Sequence, residues 1–386
     1  MIYPTNRMNI NPAENFIFRQ NRMMRLGHTT GTCAAAAAKA AAAMLIAQKP
    51  VTEVKIVVPK GTELQLAVED PSFSGTEASC AVRKDGGDDI DCTHGALIYA
   101  RVSLSDHGIS IDGGKGVGRV TKNGLDQPAG NAAINRVPRE MITRSVKEVC
   151  ERYAYRGGVN VTISVPDGEE LAKRTFNPRL GIIGGISIIG TSGIVEPMSE
   201  KAMIDTMRAE MSVRKAAGSR YFLIVPGNYG KEFVSANINE DDPIKCSNFV
   251  GEALDSSVEF GAEGALFVGN IGKMVKLAGG IMNTHSKYAD CRMEILTSCA
   301  LAAGLDNDVL AKIMGAATTD DALDVISAAG KIRDVTDVMI KRIAFHMDNR
   351  VRSKIKTGAI VFSSKHGELC RTDNANDLLK ELEARS

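Results

Sequence analysis

Three stretches of this chain carry residues whose types and spacing could do chemistry. The most acidic is Lys84-Asp85-Gly86-Gly87-Asp88-Asp89-Ile90-Asp91-Cys92-Thr93-His94-Gly95. Aspartates and a histidine on a glycine loop suit a general base, a metal site or a cation site. Their spacing does not match a calcium loop, and the plainer reading is a solvated turn. The second stretch is Leu26-Gly27-His28-Thr29-Thr30-Gly31-Thr32-Cys33, which runs into the alanine-rich residues 34–43. A threonine caps a helix start, and the free N–H groups there favour phosphate or carboxylate. The plainer reading is a capped, tightly packed core helix. The third stretch sets Gly113, Gly114, Gly116 and Gly118 around Lys115 and Arg119, which suits backbone wrapped around an anion. It is neither a Walker A loop nor G-x-G-x-x-G. Two lone histidines, His94 and His285, are candidates for moving a proton. Glu196, just before Pro197, is a candidate ligand for hydroxyl or amino groups.

These residues need elements to hold them. Alanine is the best helix former, so residues 34–47 read as a helix. Residues 54–58 and 64–68 read as two strands around a turn at Gly61 and Thr62. The string Val161-Thr162-Ile163-Ser164-Val165-Pro166-Asp167-Gly168-Glu169-Glu170-Leu171 repeats residues 54–64, and helix-like residues 139–153 precede it as the alanine helix precedes the first copy. The spacing predicts a duplicated helix–strand–turn–strand unit. Residues 96–104 read as a strand and residues 1–25 as an irregular lead-in. From about residue 179, apolar runs at 182–189, 221–225 and 264–268 alternate with helical stretches at 199–216, 249–260 and 272–278. This pattern predicts a parallel sheet with ligands at the carboxyl ends of its strands. Those ends are the glycine loops 190–196, 227–230 and 269–272. Amphipathic helices, a strand at 359–362 and a solvated terminal helix complete the chain. The fold class expected is an α+β domain with internal duplication, residues 1–178, followed by an α/β domain, residues 179–386, with a Rossmann-like parallel sheet.

With 386 residues there is room for two or three domains. The formal net charge of +1 gives no reason to expect nucleic acid or an anionic membrane as a partner. The alanine helix reads as too short to span a bilayer, and it carries Lys39. No export signal is read in the first residues, which contain Arg7, Glu14, Arg19 and Arg22. The eight cysteines form no C-x-x-C pair, so they predict reduced thiols, a cytoplasmic protein and no metal site.

Several of these strings resemble a known family. They are Thr29-Thr30-Gly31-Thr32-Cys33 with the alanines after it, Asp-x-Gly-Asp-Asp leading to Thr-x-Gly in the acidic loop, and Gly-Thr-Ser-Gly-Ile-Val-Glu-Pro-Met-Ser at 190–199. Pro-Gly-Asn-Tyr-Gly at 226–230, Ser-Asn-Phe-Val-Gly at 247–251 and Gly-x-Met-Asn-Thr-His-Ser-x-Tyr-Ala-Asp at 280–290 complete the set. Together they resemble the CbiD family, the cobalt-precorrin-5B C(1)-methyltransferases of anaerobic cobalamin biosynthesis. Two positions depart from its pattern: His28 is more usually aromatic there, and Asn270 often histidine. Neither is assigned an essential proton transfer.

The resemblance implies methyl transfer from S-adenosylmethionine to C-1 of cobalt-precorrin-5B, giving cobalt-precorrin-6A, with cobalt present only inside the substrate. The first domain would bind the macrocycle and the second the methyl donor, with the macrocycle in the cleft between them. The macrocycle's carboxylate rim would meet Thr29, Thr30, Gly31, Thr32, Lys115 and Arg119. Asp88, Asp89, Gly190, Thr191, Ser192, Gly193, Glu196, Gly227 and Asn228 would serve the donor, and Asp91, His94 and His285 the chemistry. A homo-oligomer and transient contact with neighbouring pathway enzymes are compatible with this reading. Two other functions compete. A small-molecule kinase would use the Gly/Thr loop for phosphate, and a non-enzymatic tetrapyrrole carrier would need no adenosyl site.

Overall fold

A computed structural model describes residues 16–19, 21–238 and 242–384. The chain divides into two units, Met1–Glu200 and Lys201–Ser386. The expected boundary at 178/179 therefore moves to 200/201.

The first unit opens with a hairpin, β1 (Phe16–Arg19) and β2 (Arg22–Arg25), paired antiparallel with Phe18 opposite Met23. This corrects the irregular lead-in from residue 16 onward; residues 1–15 lie outside the described residues. Next come β3 (Gly27–His28), α1 (Thr30–Ala47) and a hairpin of β4 (Glu53–Val57) and β5 (Glu63–Ala67). The alternation of the hairpin turns Val54, Ile56, Leu64 and Leu66 inward. A five-stranded sheet follows, built from β6 (Glu69–Phe73), β7 (Glu77–Arg83), β8 (Leu97–Ser105) and β9 (Ile109–Gly113). Short strands β10 (Gly116–Val117) and β11 (Arg119–Val120) lead to α2 (Arg136–Arg152) and to the fifth sheet strand, β12 (Gly158–Ser164). The order is β6-β7-β8-β12-β9, antiparallel except for β12 beside β9.

Helix α1 lies at the centre of this unit, packed on α2, β4, β7 and β8. Fourteen of its 18 residues are buried. Methyl side chains let its neighbours come close: Cys80 Sγ approaches the Ala37 carbonyl to 3.3 Å. By length and composition the helix does reach what a bilayer span needs, which corrects the sequence reading. It starts four residues earlier than the alanine run, at Thr30, and its apolar faces are covered by protein.

The repeated string shares its helix and first strand but not its return strand. After β4 the chain turns back as β5. After β12 it forms a short helix, α3 (Gly168–Ala172). Gly168 there packs on backbone, where a Cβ would lie 1.9 Å from the Gly116 carbonyl oxygen. The apolar run 182–189 also departs from expectation. After α4 (Asn177–Leu180) it is broken into β13 (Ile182–Ile183) beside β11, β14 (Gly185–Ile186) beside β10, and an isolated bridge from Ile188 to Ile134. β15 (Ile194–Val195) then pairs with β3. Loop 190–196 therefore belongs to the first unit and is no strand end of a parallel sheet.

The second unit opens with α5 (Glu200–Ala216), whose first residue ends the first unit. Its sheet contains β16 (Tyr221–Val225), then, after α6 (Asn228–Asn237), β17 (Ile244–Lys245), and, after α7 (Val250–Glu259), β18 (Gly264–Asn270). Helices α8 (Ile271–Leu277), α9 (Arg292–Ala302), α10 (Asn307–Met314), α11 (Thr319–Ala328) and α12 (Ile332–Val351) precede β19 (Lys356–Ser363) and the edge strand β20 (Gly367–Arg371). Helix α13 (Ala375–Glu383) ends the unit. The order is β17-β16-β18-β19-β20, with all neighbours parallel except β20. Both faces are covered, so the strands read as unbroken apolar runs. Leu223, Val225, Leu266, Val268, Ile360 and Phe362 pack towards α6 and α13. Phe222, Ile224, Ala265, Phe267, Ala359 and Val361 pack with helices α7 to α12. The charged tail is therefore more than a solvated helix, because Ala375, Leu378 and Leu382 are buried on the sheet.

Candidate active site

In the first unit, the start of α1 is locked to the loop before β15. Thr29 is the N-cap, its Oγ1 accepting from the Thr32 N–H at 3.2 Å. Thr32 Oγ1 donates to the Gly193 carbonyl at 2.7 Å. Thr30 Oγ1 accepts from the Ile189 N–H at 2.9 Å, and the Gly31 N–H donates to the Ile189 carbonyl at 2.9 Å. The glycines of the loop make this approach possible: a Cβ on Gly190 would stand 2.2 Å from Thr29 Oγ1. The structure thus brings Thr29, Thr30, Gly31 and Thr32 against Ile189, Gly190 and Gly193 and uses their donors there, while the Ser192 hydroxyl donates to the Ile194 carbonyl at 3.0 Å and Thr191 is exposed. Glu196 is engaged as well, accepting from Lys60 Nζ at 2.9 Å and from Arg19 at 3.4 Å. The Lys60 bond chiefly holds its carboxyl below the usual range.

The acidic loop is tied down in the same way. Asp91 accepts from the Thr93 N–H at 2.8 Å and hydroxyl at 2.6 Å, and it pairs with Lys84, whose side chain is 3% exposed. Burial works against the charge on Asp91, but Lys84 and the two Thr93 bonds together outweigh it and the carboxyl lies low. Asp88 accepts from the Arg25 N–H at 2.6 Å and Asp89 from the Met198 N–H at 2.9 Å. Asp85 pairs with the Arg25 guanidinium through both oxygens. Burial raises its pKa, yet Arg25 and the Gly87 N–H prevail and hold it at about 2. Ile90, at the tip, is 99% exposed.

His94 is half exposed, and its Nδ1 accepts from the Gly86 N–H at 3.0 Å. In the neutral ring the proton therefore sits on Nε2, which makes this histidine a donor rather than a base. His285 has the same arrangement, its Nδ1 accepting from the Lys287 N–H at 3.1 Å. His28 is buried and neutral, its pKa pushed down to about 4 by burial. Its Nε2 lies between the Arg83 carbonyl and the Asp85 N–H at 3.2 and 3.3 Å, while its Nδ1 finds no partner among the described residues.

The third stretch is packed rather than open. A Cβ on Gly116 would meet the Val165 carbonyl oxygen at 1.8 Å, and Gly113, Gly114 and Gly118 face side chains of their own unit. Arg119 is held by both oxygens of Asp112, at 2.8 and 2.9 Å. Lys115 is exposed and has no side-chain partner among the described residues.

In the second unit, adjacent parallel strands send the chain to opposite faces. After β16 it enters α6, on the face with Phe362, where Phe233 stacks on that ring at 4.2 Å. After β18 it enters α8, whose Ile271, Met274 and Val275 lie on the other face. A crevice at such a switch point is where open α/β sheets bind ligands. Gly227 and Asn228 follow the carboxyl end of β16, and Asn270 and Lys273 lie at the carboxyl end of β18 and in the first turn of α8. Lys273 Nζ donates to the Pro226 carbonyl at 2.5 Å and to the Ser247 carbonyl at 3.3 Å. Asn228 Oδ1 accepts from Lys245 Nζ at 2.7 Å. Two further lysine bonds, from buried Lys276 to the Thr284 and Ala289 carbonyls, fix the loop that carries His285. Sequence reasoning passed over Lys273 and Lys276. Their signal was two lysines in the apolar start of a helix, since lysine is seldom buried without a partner. Among the described residues, no group of three His, Cys, Asp or Glu side chains is placed to hold a metal ion.

The chain is similar in sequence to known proteins along almost its whole length. The CbiD family matches residues 17–197, and the CbiD C-terminal domain matches residues 283–373. A cobalt-precorrin-5B C(1)-methyltransferase of Ruminiclostridium cellulolyticum is 45% identical over 377 residues, 96% of this chain and 98% of the relative. One from Alkaliphilus metalliredigens is 44% identical, again with 96% and 98% covered. The crystal structure of a cobalamin biosynthesis protein from Archaeoglobus fulgidus is 29% identical, covering 75% of this chain and 94% of that one with a TM-score of 0.41. Likeness at this level across both units carries one conclusion: the chain belongs to the CbiD family.

Proposed function

We propose that this protein methylates C-1 of cobalt-precorrin-5B to give cobalt-precorrin-6A in anaerobic cobalamin biosynthesis, with S-adenosylmethionine as donor. The observation that carries this reading is the likeness, at 44–45% identity over nearly full length, to relatives of that activity. When bound, the donor would supply a methyl on a sulfonium: the S–CH3 bond breaks as the bond to the ring carbon forms, and sulfur leaves as a neutral thioether. The chain's part in such a displacement is placement.

The residues of the second-unit crevice fit an adenosyl donor. Gly227 presents bare backbone whose side-chain position is open except for Lys273 Nζ, 3.6 Å away. Asn228 adds the amide N–H2 that its bond from Lys245 leaves over, Asn270 caps α8 by accepting from the Gly272 N–H at 2.9 Å, and Lys273 adds a cation. In the first unit, Lys115 and the Nε2–H of His94 have no side-chain partner among the described residues, which leaves a cation and a donor for carboxylates of the macrocycle rim. The threonines at the start of α1 and the aspartates of the acidic loop build the frame that holds this surface.

Binding tests the reading against its competitors. Titration with S-adenosylmethionine alone should give saturable heat at one site. A carrier would bind macrocycle but no donor, and a kinase would bind ATP instead.

A further inference from the structure

We propose that Lys273 holds a carboxylate of a bound reactant in the crevice between β16 and β18, which makes it a positioning residue for methyl transfer. The inference rests on the methyltransferase reading and adds a subsite to it. An ammonium has three donor hydrogens. Two are used on the Pro226 and Ser247 carbonyls, which lie in the loops after β16 and β17. Neither partner is charged, and no carboxylate forms an ion pair with Lys273 among the described residues. The third donor and the whole positive charge are left over. Burial lowers the pKa of this lysine, so the charge is held under desolvation without its usual compensation. The charge is also placed: Nζ stands 3.6 Å from the position a Gly227 side chain would take, at the carboxyl end of β16. Three other lysines of the second unit contrast with it, whereas Lys245 and Lys215 also bond neutral acceptors, in exposed hydrogen bonds. Lys365 is paired with Asp324 and Lys331 with Asp334, while Lys276 spends itself on two carbonyls with Asp290 3.8 Å away. A half-buried cation fixed by two neutral acceptors, facing a glycine at the switch point of a parallel sheet, is a receptor for an anion. Carboxylate is the anion that both reactants carry, on the amino-acid end of the donor and on the rim of the macrocycle.

Two nucleosides separate the sources. S-adenosylhomocysteine carries the amino-acid carboxylate, and 5′-methylthioadenosine lacks it. Calorimetry on the full chain should show Lys273→Met weakening the first by roughly 10- to 100-fold, the range of a charge-assisted hydrogen bond, and leaving the second unchanged. Lys273→Arg should recover most of the loss. If the carboxylate belongs to the macrocycle, both nucleosides bind Lys273→Met as they bind wild type, and KM for cobalt-precorrin-5B rises by a similar factor. Equal weakening of both nucleosides would show that Lys273 only braces the two loops, and no change in either nucleoside or in KM would leave it without a ligand; each result overturns the proposal. Lys273→Gln, which keeps an amide donor for the carbonyls without the charge, serves if the Met variant does not fold. Wild-type protein that binds neither nucleoside nor macrocycle would defeat the methyltransferase reading itself.

Discussion

At the scale of single residues, the charged groups that look most chemical in the sequence are largely spent on structure. Lys84 is buried against Asp91, and removing one partner of such a pair leaves an uncompensated charge. His28 is the opposite case, a buried group kept neutral. Its pKa of about 4 in the folded chain lies below the ordinary 6.5, so between those values the unfolded chain binds the extra proton. The contribution of His28 is thus complete above pH 6.5 and falls away as the pH drops towards 4, by about 3 kcal/mol for a shift of this size. His28→Phe should remove that loss. It also removes the unpartnered Nδ1. Urea unfolding at pH 7.5 and pH 4.5 gives the check: the difference between the two stabilities should shrink by about that amount relative to wild type, whatever offset the larger ring adds at both pH values.

At the scale of elements, the start of α1 and the loop before β15 act as one piece. Three threonine hydroxyls and two glycines make the joint, and they require the loop backbone to touch the helix. Gly190→Ala should break it, because its methyl would overlap Thr29 while its φ of +135° strains any side chain. A loss of roughly 2–3 kcal/mol follows from strain and displacement together, read as a lower urea midpoint. Combining it with Thr29→Gly should return part of that loss by making room. The sequence showed both halves of this joint as strings but not that they meet, because pairing between residues about 160 positions apart leaves no local trace. For the same reason 182–189 read as one buried strand, although Gly184 and Gly185 divide it and its partners lie in β10, β11 and residue 134. Helix α6 was hidden by Pro226, Gly227 and Gly230, which read as loop. The strands β16, β18 and β19 were legible because burial on both faces writes an unbroken apolar run.

At the scale of the whole molecule, the sequence carried the family through strings in both units, and family membership in turn carries the reaction. The candidate residues were less legible: backbone and neighbouring side chains already hold the threonines, the aspartates, Glu196 and Arg119, while Lys273 emerged only once the switch point was placed. The central claim is methyl transfer to C-1. Its most direct test is an anaerobic incubation of the protein with methyl-labelled S-adenosylmethionine and cobalt-precorrin-5B, followed by mass spectrometry and NMR. The account predicts a product heavier by one labelled methyl, located at C-1. Macrocycle bound tightly but unlabelled, from reactants that another methyltransferase does convert, would contradict it and leave a carrier.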